Sequence, residues 1–204
     1  MKVFVILFCL ASATLSLAAP TTKANATFAN TASVRQQLVD NLFVAPDLIR
    51  VHNVKTNLNT DTDSTTTQRA ALIETSTLYE VKIPQTAPGA NCSLVLFAGA
   101  FGDVVSGAQS VNFFNNTISD LAKQGMGNLR DRDLGRVNFN PDTKLFDFDE
   151  TVVKDPIAKW FECPPAGTTM VFEAVAVGDF DAVNITQAPS SAINPPNGFS
   201  LRIY

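Results

Sequence analysis

The sequence contains very little histidine, tryptophan and tyrosine, and this scarcity limits the chemistry that the chain can support. Its 204 residues include one histidine, one tryptophan and two tyrosines, against fifteen phenylalanines. Sugar-binding surfaces usually use tryptophan and tyrosine, so the excess of phenylalanine indicates core packing. The single histidine, His52, has no G-x-S-x-G or other nucleophile motif beside it. A Ser-His-Asp triad is compatible with the composition, but we expect His52 to be a surface or hydrogen-bonded strand residue.

Clusters of basic residues are also missing. The chain has 15 Lys and Arg against 19 Asp and Glu, for a formal net charge of -4. The nearest approach to a basic cluster, Arg130 to Asp133, alternates in sign. A protein that neutralises phosphates needs clustered Lys and Arg, so we expect no nucleic acid partner. The same scarcity disfavours binding to an anionic membrane surface.

The N-terminus has the layout of a cleaved secretory signal. Lys2 precedes an apolar run, Val3 to Leu10, which is followed by small residues. We place the cut after Ala18 and assign residues 1–18 to the signal peptide. No later segment could span a bilayer core of ~30 Å as a helix, and no GPI signal ends the chain. These features predict a secreted protein that is released outside the cell or associated with the cell wall, with no membrane contact after signal cleavage.

Three cysteines are present, and one of them, Cys9, leaves with the signal. Disulfides persist in an exported protein, so Cys92 and Cys163 are expected to form one intramolecular bridge. Closing this loop would stabilise the fold by roughly 4 kcal/mol on the chain-entropy model. A reactive thiol pair is the alternative, but the cysteines have no CxxC spacing or basic neighbours that would lower a thiol pKa.

Four Asn-x-Ser/Thr sequons predict N-glycosylation and therefore surface positions. The acceptor residues are Asn25, Asn91, Asn115 and Asn184. Asn91 is the least favoured acceptor, because disulfide formation at the next residue competes with glycosylation.

The mature chain is predicted to form one domain behind a leader. Residues 19–46 make up this leader, in which apolar residues from Val34 to Phe43 recur at helical spacing and predict a short helix that ends near Pro46. This helix is either a propeptide helix or, as we favour, a lid on the domain. Residues 47–204 form the domain itself.

From Leu48 onward the chain alternates β-rich runs with Gly, Pro, Asn and Asp. We predict an all-β fold, an antiparallel β-sandwich of immunoglobulin-like or jelly-roll-like type with one disulfide and the short N-terminal helix. The predicted strands are Leu48 to Val54, Ala71 to Ile83, Ser93 to Phe97, Ser110 to Phe114, Lys144 to Phe148, Thr169 to Val177, Phe180 to Thr186 and Phe199 to Ile203.

Two segments between these strands are predicted to lack strands. Residues 57–67, NLNTDTDSTTT, are polar and of low complexity, which predicts a mobile hairpin loop. Residues Ile118 to Lys123 are predicted to form a single helical turn within one long connection. Asp61-x-Asp63 resembles the start of an EF-hand, but Thr66 and Leu72 stand where the motif needs glycine and glutamate.

Two acidic pairs are the best candidates for chemistry. Asp147 and Asp149 would project from one face of a strand, with Cβ atoms about 7 Å apart, and Asp179 and Asp181 form a second pair. Such pairs could hold calcium or serve as glycosidase acids, but we expect them to be solvated acids on amphipathic strands, with no cofactor. Trp160 lies three residues before Cys163 and either shields the disulfide, which we favour, or presents a face for sugar stacking.

Several fragments taken in order resemble a known family. They are Ile83-Pro84, GANCSLVLF from Gly89 to Phe97, FECPPAG, VFEAVAVGDFD and GFSLRI. The chain is similar, over Thr75 to Tyr204, to the fungal secreted family named for the ubiquitin-three-binding protein (binding-Uba-three) C-terminal domain. The resemblance implies a β-sandwich with Cys92 joined to Cys163. Two departures are the extra proline at Pro164-Pro165 and the tail Arg202-Ile203-Tyr204, where many members end in cysteine.

The family name implies a partner in the cytosol and nucleus, and this conflicts with the export signals, which we follow. We expect a secreted fungal N-glycoprotein without enzymatic activity, with a structural or binding role at the cell wall or outside the cell. Its expected partner is a cell-wall glycan or an extracellular protein. The alternative is an enzyme that acts on cell-wall polysaccharide through the paired aspartates.

Overall fold

A computed structural model describes residues 42–85, 89–191 and 194–204, and in these ranges the chain is all-β. The strands are β1 (Leu42–Val44), β2 (Leu48–Asn53), β3 (Leu58–Asp61), β4 (Ser64–Ala70), β5 (Ile73–Lys82), β6 (Asn91–Phe97), β7 (Val104–Gly107), β8 (Ser110–Asn116), β9 (Arg130–Phe139), β10 (Phe146–Phe148), β11 (Phe161–Glu162), β12 (Thr169–Ala176), β13 (Asp181–Thr186) and β14 (Gly198–Ile203). Short 3₁₀ turns lie at Leu121–Lys123 and Ile157–Lys159.

The strands form two antiparallel sheets that share one core. The small sheet has the order β1-β14-β6-β11. The large sheet follows the path β10-β9-β8-β12-β5-β4-β13-β7, and β2 and β3 join it beside β5. The predicted sandwich-like, all-β architecture is thus confirmed at this level.

The large sheet curls because β12 and β4 share one side of β5, opposite β2. β12 pairs with β5 from Ser76 to Lys82, whereas β4 pairs only with Ile73 to Thr75 and then turns away. Threonine hydroxyls bond to the backbone where the ladder is interrupted: Thr77 accepts from Thr66 N at 2.9 Å, and Thr67 accepts from Ala176 N at 3.0 Å. The curl carries β13 and β7, which follow β4, towards the small sheet.

An aromatic cluster fills the space between the sheets. Tyr79 of the large sheet stacks on Phe199 of the small sheet, with ring centroids 4.2 Å apart, and Phe113 and Phe172 pack around Phe199. All four side chains are at most 1 % exposed. The Tyr79 hydroxyl donates to buried Thr65 at 2.9 Å, which satisfies the polar end of the stacked ring.

Two predictions about local structure were wrong, and a third, the N-terminal helix, can be compared only at its last residues. The polar segment 57–67 contains β3 and the first part of β4, joined by a two-residue turn, because threonine side chains supply hydrogen bonds at the curl. Leu42 and Phe43, the last positions of the predicted helix that the structure describes, lie in β1 and pair with Ile203 and Arg202. The rest of that helix lies outside the described residues.

The second wrong prediction concerns the long connection after β8. It contains the predicted helical turn, which is a 3₁₀ turn at Leu121–Lys123, but it also contains the ten-residue strand β9. The charged start of β9, Arg130 to Asp133, has no apolar alternation that would have signalled a strand.

Candidate functional site

The first acidic pair lies on the wet face of an edge strand, as predicted. Asp147 accepts a hydrogen bond from Asn140 Nδ2 at 2.8 Å, and Asp149 accepts from Asn138 Nδ2 at 3.0 Å. Side-chain hydrogen bonds lower the pKa of Asp149; the bond from Thr151 has the largest effect, and the bond from Asn138 has the next largest. A general acid needs a carboxyl pKa that is raised towards the working pH, so Asp149 is poorly suited to this role.

The structure does not bring the second acidic pair together. Asp179 is exposed in the turn before β13, whereas Asp181 is completely buried. The Asp181 carboxylate accepts from the backbone N–H groups of Gln109, Val177 and Ser110 at 2.9, 3.3 and 3.4 Å. Burial raises the pKa of Asp181, and these N–H groups oppose that shift. Asp181 therefore fixes two neighbouring turns and is inaccessible to a substrate.

No group of three or more His, Cys, Asp and Glu residues that could hold a metal ion occurs in ranges 42–85, 89–191 and 194–204. Of the acids considered for calcium, Asp147 and Asp149 accept hydrogen bonds from asparagine side chains, and Asp181 accepts from backbone N–H groups. Within the same ranges, no helix is long and apolar enough to cross a membrane.

His52 is buried in β2, and its hydrogen bond helps to hold a loop in place. Asn59 donates through Nδ2 to the carbonyl oxygens of Gln124 and Gly127 at 2.7 and 2.8 Å. Its Oδ1 is therefore the acceptor of the 2.8 Å hydrogen bond with His52, and His52 donates from Nδ1. The prediction of a hydrogen-bonded strand histidine is confirmed. The pair ties residues 117–129, which we call the covering segment, to the outer face of the large sheet.

A buried charge network lies beside His52 on the same face of the large sheet. Glu173 of β12 is 0 % exposed and is paired with Arg130, whose Nε and Nη2 donate to Oε2 and Oε1 at 2.9 and 2.8 Å. Asn128 and Ser76 also donate to Glu173 Oε1, at 2.9 and 2.5 Å. The Ser76 hydroxyl, which neighbours His52 in the strand register, is thus committed to Glu173.

Sequence reasoning missed this network. Phe172 and Glu173 alternate along β12, a pattern that predicts an apolar face and a wet face. The covering segment buries the supposedly wet face, and Arg130 at the start of β9 compensates the charge. The hydrogen bonds to Glu173 raise the pKa of Arg130, because they stabilise the charged form of its guanidinium group. Every polar atom named in the network has a partner, so the network contributes to the packing of the covering segment on the large sheet.

The disulfide joins the small sheet to the segment after β11, and the described sequons lie in strands of both sheets. Cys92 of β6 is bonded to Cys163, with Cα atoms 5.1 Å apart, which confirms the predicted bridge. Asn184 is exposed on β13, whereas Asn91 and Asn115 are partly buried on β6 and β8; Asn25 lies outside the described residues. Trp160, at the end of the second 3₁₀ turn, is 59 % exposed, and Phe161, not Trp160, pairs with Cys92 across the sheet.

A cleft opens between the two sheets at one end of the sandwich. We call it the inter-sheet cleft; it has a volume of about 290 Å³. Six apolar residues line it: Leu134, Ile157, Phe161, Pro164, Met170 and Phe172. The three polar lining residues are Asn115, Arg132 and Glu162. Phe161 and Pro164 belong to the segment that carries Cys163, so the disulfide fixes one wall of the cleft.

At the opposite end of the large sheet, three neighbouring turns expose apolar side chains. These turns join β2 to β3, β4 to β5 and β12 to β13, and we call their exposed residues the turn end: Val54, Leu72, Ile73 and Phe180. The register places them together, because Asn53 pairs with Thr75, and Arg69 pairs with both Glu74 and Asp181. Leu72 is 84 % exposed and Phe180 61 %. Sequence patterns place these residues in turns, but only the sheet topology brings them to one surface.

Comparison of the chain with protein-family models gave no match, and comparisons with curated proteins and with solved structures gave none either. The resemblance to the fungal secreted family therefore stays a prediction.

Proposed function

We propose that the protein is an exported N-glycoprotein of a fungal secreted family that acts by binding, without catalysing a reaction. The observation that carries this proposal is the burial and hydrogen bonding of the aspartates in the two predicted acidic pairs. Asp181 is buried against three backbone N–H groups, and Asp147 and Asp149 bind asparagine side chains. Neither predicted pair is left as two free carboxyl groups facing a common cavity. The signal-like N-terminus, the disulfide and the sequons support export.

We further propose the turn end as the binding surface. Its exposed side chains are aliphatic or phenylalanine, which suits an apolar protein surface better than a sugar ring. A neighbouring charged pair, Arg69 with Glu74 at 3.9 Å, lies at its border and would form a polar rim. An extracellular or wall-bound protein is therefore the partner that we favour over a wall glycan. The assignment of the sandwich as immunoglobulin-like or jelly-roll-like is likewise a proposal, supported by two antiparallel sheets around one core.

Binding of the purified secreted protein to cell-wall fractions tests this function. The variant Leu72→Ser with Phe180→Ser removes the two most exposed turn-end side chains, and we expect it to lose at least tenfold in affinity. Trp160→Ala is the matched control, since Trp160 is about as exposed as Phe180 but lies outside the turn end. Binding that is lost in the Trp160 variant, and that a soluble wall glycan competes away, would point to a glycan partner instead.

Incubation with β-glucan and chitin provides the second arm of the test. Release of soluble sugar by the wild-type protein would overturn the non-enzymatic proposal and favour the polysaccharide-active alternative. An Asp147→Asn, Asp149→Asn double variant would then show whether those carboxyl groups are responsible.

A further inference from the structure

Asn115 is a sequon asparagine on the core-facing side of an internal strand. In β8, Val111 and Phe113 are fully buried between the sheets, and alternation places Asn115 on the same face. Its cross-strand partner is Phe172, a core residue. A glycan on Asn115 would therefore start inside the sandwich, at its open end, whereas a glycan on exposed Asn184 would start in solvent.

The strand geometry leaves space at this position. The register between β8 and β9 shifts on both sides of Phe114, and Asp131 and Arg132 lie opposite Asn115 as the extra residues of a bulge. Asn115 Nδ2 is 3.4 Å from Asp131 Oδ2, a long contact at the exposed edge. The acceptor amide is thus reachable from solvent, although the residue itself is partly buried.

The inter-sheet cleft begins at Asn115 and has the chemistry of a sugar site. Phe161, Met170 and Phe172 give it an apolar floor and walls, and Arg132 and Glu162 supply charged hydrogen-bonding groups. The pyranose face and the acetamido methyl of N-acetylglucosamine are apolar, and its hydroxyl and amide groups need polar partners. Clefts that combine an apolar lining with a few polar groups suit such an amphipathic ligand.

We propose that the first N-acetylglucosamine of an N-glycan on Asn115 packs into the inter-sheet cleft and closes the open end of the sandwich. This inference depends on the proposed function, because only an exported chain meets the N-glycosylation machinery. Covalent attachment at the cleft wall gives the sugar a high effective concentration there, so it outcompetes a free ligand. The first sugar of the glycan thus packs against the protein as part of the fold and is not surrounded by solvent.

The experiment compares Asn115 with Asn184 in the full-length secreted protein. Glycopeptide mass spectrometry first establishes occupancy, and we expect both sites to be glycosylated. Under native conditions, an endoglycosidase should release the Asn184 glycan at least about tenfold faster than the Asn115 glycan. Thr117→Ser, which keeps the Asn115 sequon, should preserve this protection.

Stability and dye binding provide independent measurements. Asn115→Gln should lower Tm by at least about 2 °C and should increase the fluorescence of an apolar dye that enters the uncovered cleft. Asn184→Gln should change neither quantity. Complete removal of the Asn115 glycan from the wild-type protein by a peptide N-glycosidase, which converts the asparagine to aspartate, should have the same effects as Asn115→Gln. Cleavage by the endoglycosidase, which leaves the first N-acetylglucosamine on Asn115, should not have these effects.

Two results would overturn the inference while leaving export intact. One is a secreted protein that is glycosylated at Asn184 but not at Asn115. The other is an Asn115 glycan that is released as fast as the Asn184 glycan, with no change in dye binding. A secreted protein without any glycan would overturn both this inference and the glycoprotein part of the proposed function.

Discussion

Replacing Arg130 by methionine tests whether the Glu173 network holds the covering segment on the large sheet. The substitution retains much of the side-chain volume and removes the guanidinium group that bonds to both Glu173 oxygens. Glu173 is 0 % exposed, so its charge would stay buried with only the neutral donors Ser76 and Asn128. The contact of the guanidinium group with the Phe114 ring, 4.5 Å from its centroid, would also be lost.

The expected loss follows from the burial of Glu173. Removing one partner of a buried ion pair costs about 3–5 kcal/mol, because the remaining charge is uncompensated. The Arg130 side chain is 34 % exposed, so solvent reaches part of the pair and we expect the lower end, about 3 kcal/mol. For a protein of this size, each kcal/mol shifts Tm by about 2–4 °C, which gives a decrease of about 6–12 °C.

Urea unfolding of the wild-type protein and three variants measures this effect. Arg69→Met is the matched control, because it breaks the exposed pair with Glu74, which is worth at most about 1 kcal/mol. The double variant Arg130→Met, Glu173→Met should be more stable than Arg130→Met alone, since it removes both charges. A loss in Arg130→Met that is no larger than that in Arg69→Met would refute the reasoning.

Three further predictions concern the core, the bridge and a buried acid. Phe199→Ala should lower the unfolding free energy by about 3–5 kcal/mol, because Phe199 packs against three aromatic rings, and an unfolding midpoint unchanged from wild type would contradict this core. Replacing Cys92 and Cys163 by alanine should cost about 4 kcal/mol in urea unfolding, and a reduced wild-type protein should match the variant. Because burial raises the pKa of Asp181 above 3.8, the folded state binds the Asp181 proton more tightly than the unfolded state does. The resulting contribution to stability is full below pH 3.8 and is lost as the pH rises through the raised pKa. Asp181→Asn should remove that decline, as measured by unfolding at a series of pH values from about 4 to 7, and an identical pH dependence in both proteins would contradict the assignment.

Strands with an apolar alternation were predictable, because their side chains face a core in any arrangement of the sheets. The run from Leu78 to Ile83 is an example, and Tyr79, Val81 and Ile83 face the core as the pattern indicates. The threonine-rich strand β4 was not predictable in this way. Its buried residues, Thr65 and Thr67, are polar. Tyr79 of the next strand bonds to Thr65, and the backbone of β12, which is 109 residues away in sequence, bonds to Thr67.

The candidate site shows the same division. The acids Asp147 and Asp149 were correctly expected on a wet strand face, since the phenylalanines between and beside them pack inward. The separation of Asp179 from Asp181 depends on the backbone N–H groups of residues 109 and 110, which no local pattern reveals. The turn end likewise exists only because three turns between strands meet at one end of the curled sheet.

The sequence by itself determined the β-rich character of the domain, the single bridge between Cys92 and Cys163 and the positions of the sequons, because these depend on residue types and local alternation. Tertiary structure alone decided what each polar residue does. It buried Glu173 beneath the covering segment, turned Asn115 into the inter-sheet cleft and left Asn184 in solvent. The physical reason is that burial and hydrogen bonding depend on which distant strands become neighbours, and the curl of the large sheet sets those neighbours.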